Sequence, residues 1–411
     1  MKKIFTGKIV SSIDIGTTKI CVLIGHELDE GKIEILGFGK VPSHGLSKGV
    51  VVDIAQAVRS IRAAVQEAEL MAGIEIESAI IGISGAHIQS RNSYGAVPIE
   101  KGAVSQNDIT AVIAAAKAIP LPEGQQVLHV LPQFFSIDGS DRIQDPLGMH
   151  GIRLEAQVHM VTGSTTSVQN LVVCCERAGV QVQDVVLEQL ASAYSVLNED
   201  ERKLGVGVID IGGGTSDLAI YQHGAIRHTM VLPVAGNHFT NDLAIGLRIT
   251  MSDAERVKRE YGLASVDLLL EDKEVEVEMV QGGKRNMTTT HAITEILEPR
   301  AQELLSIIHE EILGRNMESL LVSGLVITGG GSLLEGIKDL AESIFDIPVR
   351  IGKPNIIHED PAILGNPMYA TSYGLLLYAI KKDHGMGVYT NEEQRLSRVL
   401  TRMKSWVSDF F

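Results

Sequence analysis

Ile13-Asp14-Ile15-Gly16-Thr17-Thr18-Lys19 is answered later in the chain by Ile209-Asp210-Ile211-Gly212-Gly213-Gly214-Thr215-Ser216-Asp217. Strand-like runs flank both phrases: Lys8 to Ser12 and Ile20 to Gly25 around the first, Gly205 to Val208 and Leu218 to Tyr221 around the second. Each phrase therefore reads as the tight turn of a β-hairpin, and the duplication predicts two similar half-domains facing one ligand.

The residue types narrow down that ligand. Glycine permits φ > 0 and close backbone approach, so N–H groups at Gly16, Gly212, Gly213 and Gly214 can point at phosphate oxygens, while Thr17, Thr18, Thr215 and Ser216 add hydroxyl donors. Lys19 supplies a cation. Asp14 and Asp210, each at the end of its strand, can hold a hydrated Mg2+, which keeps several waters and takes one or two carboxylates. A nucleoside triphosphate clamped between two turns satisfies all of these. Asp and Gly are also ordinary turn residues, so one copy alone signifies little. The second copy and a third glycine cluster carry the reading. That cluster, Val326-Ile327-Thr328-Gly329-Gly330-Gly331-Ser332, predicts a strand, a glycine turn and a helix capped by Ser332, with backbone passing under a base or ribose.

These elements resemble the superfamily of actin, sugar kinases and heat-shock chaperone ATPases. The resemblance implies phosphate motifs at the two hairpins and an adenosine motif at Thr328 to Ser332. Val186-Leu187-Glu188-Gln189-Leu190-Ala191-Ser192-Ala193 is similar to the superfamily's first connecting helix, which implies that Glu188 orients a water or the Mg2+ shell. Ala254-Glu255-Arg256-Val257-Lys258 is similar to the helix whose Glu and Lys approach ribose and adenine, here Glu255 and Lys258. The implied fold is α/β: an actin-like, ribonuclease H-like duplicated ATPase fold with two half-cores.

Composition agrees. The 411 residues are 45% hydrophobic and 4% aromatic, enough for two or more cores built from Ile, Val, Leu and Ala. Cys21, Cys174 and Cys175 cannot form a disulfide framework, no Cys/His spacing points to zinc, and the adjacent pair in an apolar helix reads as buried packing. A net charge of -15 argues against nucleic acid, whose phosphates require clustered Lys and Arg. No uninterrupted apolar run reaches the roughly 18 residues of a membrane span. The basic start Met1-Lys2-Lys3 leads into an apolar stretch broken at Lys8, so no signal peptide is expected and the chain is expected in the cytoplasm.

Along the chain, a first core is expected over 1–84, 162–204 and 361–381. It comprises the hairpin, a strand at Ile33 to Val41, a helix capped by Asp53, and a strand at Ala79 to Ser84. An insertion over 85–161 carries a helix opened by Ser105 and Asp108 and strands near Gln126 to Ile137 and Glu155 to Val161. A second core spans 205–236 and 321–360. Its insertion, 237–320, holds helices near Phe239 to Leu247 and Ser252 to Tyr261, a hairpin across Gln281-Gly282-Gly283-Lys284 and a long helix from His291 to Leu313. A helix from Tyr369 to Lys381 packs back on the first half, and Lys382 to Asn391 reads as a linker.

The tail, 392–411, is the second informative stretch. Leu396, Val399, Leu400, Met403, Trp406, Val407, Phe410 and Phe411 recur at helical spacing, with Arg395, Arg398, Arg402 and Lys404 at the other positions. Four positive charges and no negative one over 395–408 reverse the sign of the rest of the chain, and the single Trp lies here. Such a helix can dock on its own domain. The preceding linker, the charge reversal and the terminal aromatics favour anionic membrane lipid.

The whole combination resembles the FtsA family of bacterial cell-division proteins. That resemblance implies an actin-like core whose usual second subdomain is replaced by an SHS2-like insertion on the other side. It implies ATP-dependent polymerisation with copies of itself, a membrane-targeting C-terminal helix at the cytoplasmic face of the inner membrane, and binding of the tail of the tubulin-like division protein FtsZ. It also implies the recruitment of later division proteins. The FtsZ site falls on the second insertion, where Lys284, Arg285 and the Arg300 of Glu298-Pro299-Arg300 could meet an acidic tail; solvation alone also accounts for Lys284 and Arg285. The expected role is an ATP-binding scaffold with slow turnover or none, rather than an enzyme. Alternatives are a pilus-assembly scaffold like PilM, a sugar kinase needing a catalytic Asp, and a chaperone ATPase needing a long region after the core.

Overall fold

The computed structural model describes residues 8–28, 33–281, 284–356 and 362–383. Three sheets organise them. The first half supplies β1 (Ile9–Ile15), β2 (Lys19–Glu27) and β3 (Ile33–Pro42), a minor pair β4 (Leu46–Ser47) and β5 (Val50–Val51), then α1 (Ile54–Ala72) and β6 (Ser78–Ile83). Asp53 caps α1 by accepting from the Gln56 N–H, and Gly73 ends it in the left-handed region, so this helix has the start and stop its sequence predicts.

The insertion follows β6. It contains β7 (Gln89–Pro98), α2 (Gln106–Lys117), β8 (Gln125–Ile137), β9 (Ser140–Ile143) and β10 (Arg153–Ser164), with the antiparallel strand order β7-β10-β8-β9. Ser105 and Asp108 close α2 with a reciprocal capping box. Val112, Phe135, Leu154, Val158 and Met160 give this unit a core of its own.

The chain returns through α3 (Thr165–Ala178), β11 (Gln181–Leu187), α4 (Glu188–Val196) and the short α5 (Glu199–Leu204). The second half then builds β12 (Val206–Ile211), β13 (Ser216–Gln222) and β14 (Ala225–Leu232). Its insertion carries α6 (Gly236–Leu247), α7 (Met251–Tyr261), the hairpin of β15 (Glu274–Glu278) and β16 (Arg285–Thr289), and α8 (Thr290–Gly314). The half closes with β17 (Leu325–Thr328), α9 (Ile337–Phe345) and β18 (Val349–Ile351), and α10 (Ala370–Asp383) is the last described element.

The two large sheets have the same plan. In the first the order is β11-β6-β1-β2-β3, in the second β18-β17-β12-β13-β14; in each, the hairpin strands pair antiparallel and the two strands beyond run parallel. The registers match at the turn, since Ile15 pairs with Ile20 and Ile211 with Ser216, leaving four residues between. β12 is buried along its length and β1 nearly so, as strands covered on both faces must be. α1 packs with α3 and α10 with α4 on the first sheet.

Some expectations need correction. Ser332 does not cap a helix: Gly330–Leu333 form a 3-10 turn, the Ser332 hydroxyl donates back to the Gly329 carbonyl at 2.7 Å, and α9 starts only after Gly336, whose φ of 82° no capping serine would favour. Lys382 and Asp383, expected in a linker, belong to α10, and the rest of that expected linker lies outside the described residues. β7 was not anticipated, for its Gln-Ser-Arg-Asn-Ser start has no apolar alternation. The tip glycines Gly282 and Gly283 and the tail residues Arg395 to Phe411 lie outside the described residues.

Candidate functional site

The equivalent turns of the two sheets meet tip to tip. In each, the first glycine N–H donates to the carbonyl three residues on, Gly16 to Lys19 at 3.0 Å and Gly212 to Thr215 at 2.9 Å. A Cβ at Gly213 would collide with Thr18 and one at Gly214 with Thr17, so only glycine allows this approach. Asn237 ties the second turn to α6 by donating its N–H to the Gly213 carbonyl at 2.8 Å, and the Thr18 hydroxyl reaches its side-chain oxygen at 3.3 Å.

The cavity beside these turns holds about 1000 Å³. Asp14, Gly16, Thr17, Thr18, Lys19, Glu188, Asp210, Gly212, Gly213, Gly214 and Thr215 line one end, and Glu255, Lys258, Gly329, Gly330 and Gly331 extend the wall. All of these sequence candidates therefore border one space, whereas Ser216, expected as a hydroxyl donor, is buried outside it and donates to the Val234 carbonyl at 2.7 Å. Leu268, Leu269, Leu270 and Leu333 make the far end apolar, a surface suited to a flat ring. Thr328 instead turns its hydroxyl to the Gly352 carbonyl at 2.9 Å and is buried.

Charge is concentrated here. Asp14, Asp210 and Asp217 are buried beside Glu188. Burial, followed by the charges of Asp14, Asp217 and Asp210, pushes the Glu188 carboxyl well above the usual range. Burial likewise raises Asp210 to about 6, against the bond donated by Thr371. Lys19 binds Asp14 at 2.5 Å; burial alone would lower its pKa, and Asp14, helped by Cys21 and Asp210, more than reverses that. At the other end Lys258 is lowered by burial, although its ammonium contacts Glu255 at 2.6 Å and Thr240 at 2.8 Å.

Four acidic side chains around one ammonium, two of them at the strand ends Asp14 and Asp210, present oxygen donors of the kind that suit a hard divalent cation. Among the described residues no group of three or more potential ligands converges on one point. A Mg2+ would thus rest on Asp14 or Asp210 through water, with the remaining positions left to waters and phosphate oxygens.

Two contributors had no signature in the sequence. Thr371 and Ser372, in the first turn of α10, donate hydroxyls to Asp210 and Asp14, each at 2.8 Å. Asp217, within the quoted phrase but given no role there, accepts from Ser84 at 2.6 Å.

The basic groups proposed for an acidic tail are already engaged. Arg300 forks onto Asp242 at 2.6 and 3.1 Å and also contacts Glu303. Arg285 is exposed and pairs with Glu276 at 2.8 Å, beside the outward-facing Glu274 and Glu278 of β15. Lys284 is exposed, with its carbonyl held by the Met279 N–H. The expected basic patch is therefore locally neutralised. Cys174 and Cys175 are free and buried, as their apolar helix predicts, and Cys21 is free and buried as well.

Duplicated sheets closing on a glycine-lined cleft place the protein in the actin-like α/β class. Similar architectures occur in a PilM-PilN type IV pilus biogenesis complex (TM-score 0.65, 18% identity, 90% of this chain and 98% of that one) and in MreB5 of Spiroplasma citri bound to ADP (TM-score 0.54, 18% identity, 92% and 99%). The family described as "Cell division protein FtsA" matches residues 207–374, and the "SHS2 domain inserted in FTSA" matches residues 85–162. Proteins named cell division protein FtsA are 43% identical in Pseudomonas aeruginosa, over the full length of both chains, and 39% identical in Escherichia coli K12, over 98% of each. The chain belongs to the FtsA family of cell division proteins. Membership favours the cell-division reading over the pilus-assembly and sugar-kinase alternatives. Among the described residues no helix is long and apolar enough to cross a membrane.

Proposed function

We propose that this protein binds ATP with Mg2+ between its half-cores and polymerises on the cytoplasmic face of the inner membrane. There it anchors FtsZ filaments through the FtsZ tail and helps recruit later division proteins. The observation that carries the reading is the meeting of Thr17 and Thr18 with Gly213 and Gly214, beside Asp14, Asp210 and Lys19. This arrangement gives hydroxyl and backbone donors to a phosphate chain and carboxylates to its metal. The protein acts as a scaffold: nucleotide closes two domains into a shape competent for assembly, and turnover is slow or absent.

The amphipathic segment 392–411 supplies the membrane contact. Each apolar side chain contributes at most about 1.5–3 kcal/mol when fully buried, and interfacial burial is partial, so one helix binds weakly. Assembly makes later contacts intramolecular, and attachment follows polymerisation. Sedimentation with vesicles containing an anionic lipid, with and without ATP and an FtsZ tail peptide, tests this. The full chain should pellet most with ATP, and a chain lacking 392–411 should stay in solution. Vesicle binding by the shortened chain, or filaments that form equally without nucleotide, would overturn the reading.

A further inference from the structure

The inserted domain is stitched to the second half-core along β14. Ser90 donates to the Thr229 carbonyl at 2.7 Å, a ring nitrogen of His159 lies 2.9 Å from the Thr229 hydroxyl, and Gln133 Nε2 donates to the Ile226 carbonyl at 2.6 Å. Beside these bonds lies a second cleft of about 340 Å³, within the size range of ligand pockets. None of the residues lining it lines the nucleotide cavity.

Its chemistry is unmatched on several counts. Arg227 lies over the Phe134 ring at 5.7 Å and Arg142 lines the same cleft, and among the described residues neither guanidinium has a carboxylate within ion-pair distance. Burial, then the like charge of Arg142, lowers the Arg227 pKa. Arg227 Nε is a buried donor without a hydrogen-bond partner, and Oε1 of Gln133, a residue 6% exposed, is a buried acceptor without one. Native interiors seldom leave such atoms unpaired. Water at the mouth of the cleft would solvate the exposed Arg142 but would leave the half-buried Arg227 without a counter-charge. A phosphate ion would compensate the cations but has no use for the apolar wall of Met317 and Leu320.

We propose that this seam is a binding site for an acidic peptide segment of another protein. An Asp or Glu carboxylate lies between Arg142 and Arg227, and an apolar neighbour rests on Met317 and Leu320. Because Gln133 and Arg142 belong to the insertion and Arg227, Met317 and Leu320 to the second half, the bound peptide fastens one to the other.

A phage-displayed library of random heptapeptides, selected on the full chain and on Arg142→Gln and Arg227→Met variants, tests this. Arg142 is on the exposed rim, so its variant decides the matter even where Arg227→Met folds poorly. Peptides enriched on the wild type should carry Asp or Glu, bind each folded variant about tenfold or more weakly, and survive competition by inorganic phosphate. No enrichment, enrichment without acidic residues, equal binding to Arg142→Gln, or complete displacement by phosphate would overturn the proposal.

Discussion

The Ser84 hydroxyl donates to Oδ1 of Asp217 at 2.6 Å, joining the end of β6 in the first half-core to β13 in the second. Asp217 is buried; burial is the main cause that raises its carboxyl to about 7, with Asp210 adding to it and the bonds from Ser84 and Thr215 opposing. The folded protein thus keeps a proton that the unfolded chain releases near pH 3.8. The stability this group contributes is complete below that pH and is lost as pH rises through about 7. Asp217→Asn keeps an acceptor for Ser84 without the titration. In urea unfolding without nucleotide, the variant should gain on the wild type between those limits by on the order of 1 kcal/mol per pH unit. Parallel stability curves would remove Asp217 from the account.

Gly213→Ala tests the contact between the turns. The added methyl meets Thr18, whose hydroxyl also serves Asn237, so the turns must part. ATP affinity, measured by equilibrium dialysis, should fall tenfold or more, about 1.4 kcal/mol. Unfolding in the absence of nucleotide should change less. Unaltered ATP affinity would mean that phosphate does not lie at this junction.

Glu188→Gln separates binding from turnover. Burial disfavours the charged form of the Glu188 carboxyl, so an amide of the same size should be tolerated in folding. Folding and ATP binding should persist, while any residual phosphate release should drop by about tenfold or more. Release at the wild-type rate would show that Glu188 does not orient the attacking water.

Arg300 offers a test of the proposed FtsZ site in two directions. Its fork onto Asp242 competes with any incoming carboxylate. Arg300→Glu should weaken binding of an FtsZ tail peptide, whereas Asp242→Asn should strengthen it severalfold in fluorescence polarisation. Insensitivity to both changes would place the tail elsewhere.

What the sequence revealed followed the strength of local signals. The hairpin glycines, Asp53, Ser105 and the apolar stripe of α1 act over a few residues, so the first turn, the caps and the helix lengths could be read directly. Ser332 misled because a serine after three glycines has the chemistry of a cap, while a 3-10 turn uses its hydroxyl differently. Thr371 and Ser372 could not be read at all: their partners Asp210 and Asp14 are 161 and 358 residues away, and an ordinary helix start gives no sign of them. Arg300 looked available because its counter-charge, Asp242, comes from a helix 58 residues earlier.

The first turn of α10 has a mechanical consequence. One pin holds both leaves of a hinge: Ser372 grips the leaf carrying Asp14, and Thr371 the leaf carrying Asp210. Since α10 packs along the first leaf, swinging the two apart breaks the Thr371 bond and spares that of Ser372. The pin is a rod of about 21 Å. Parting the leaves therefore removes one of the two bonds at the near end of this rod, while its far end, Asp383, belongs to the same continuous helix.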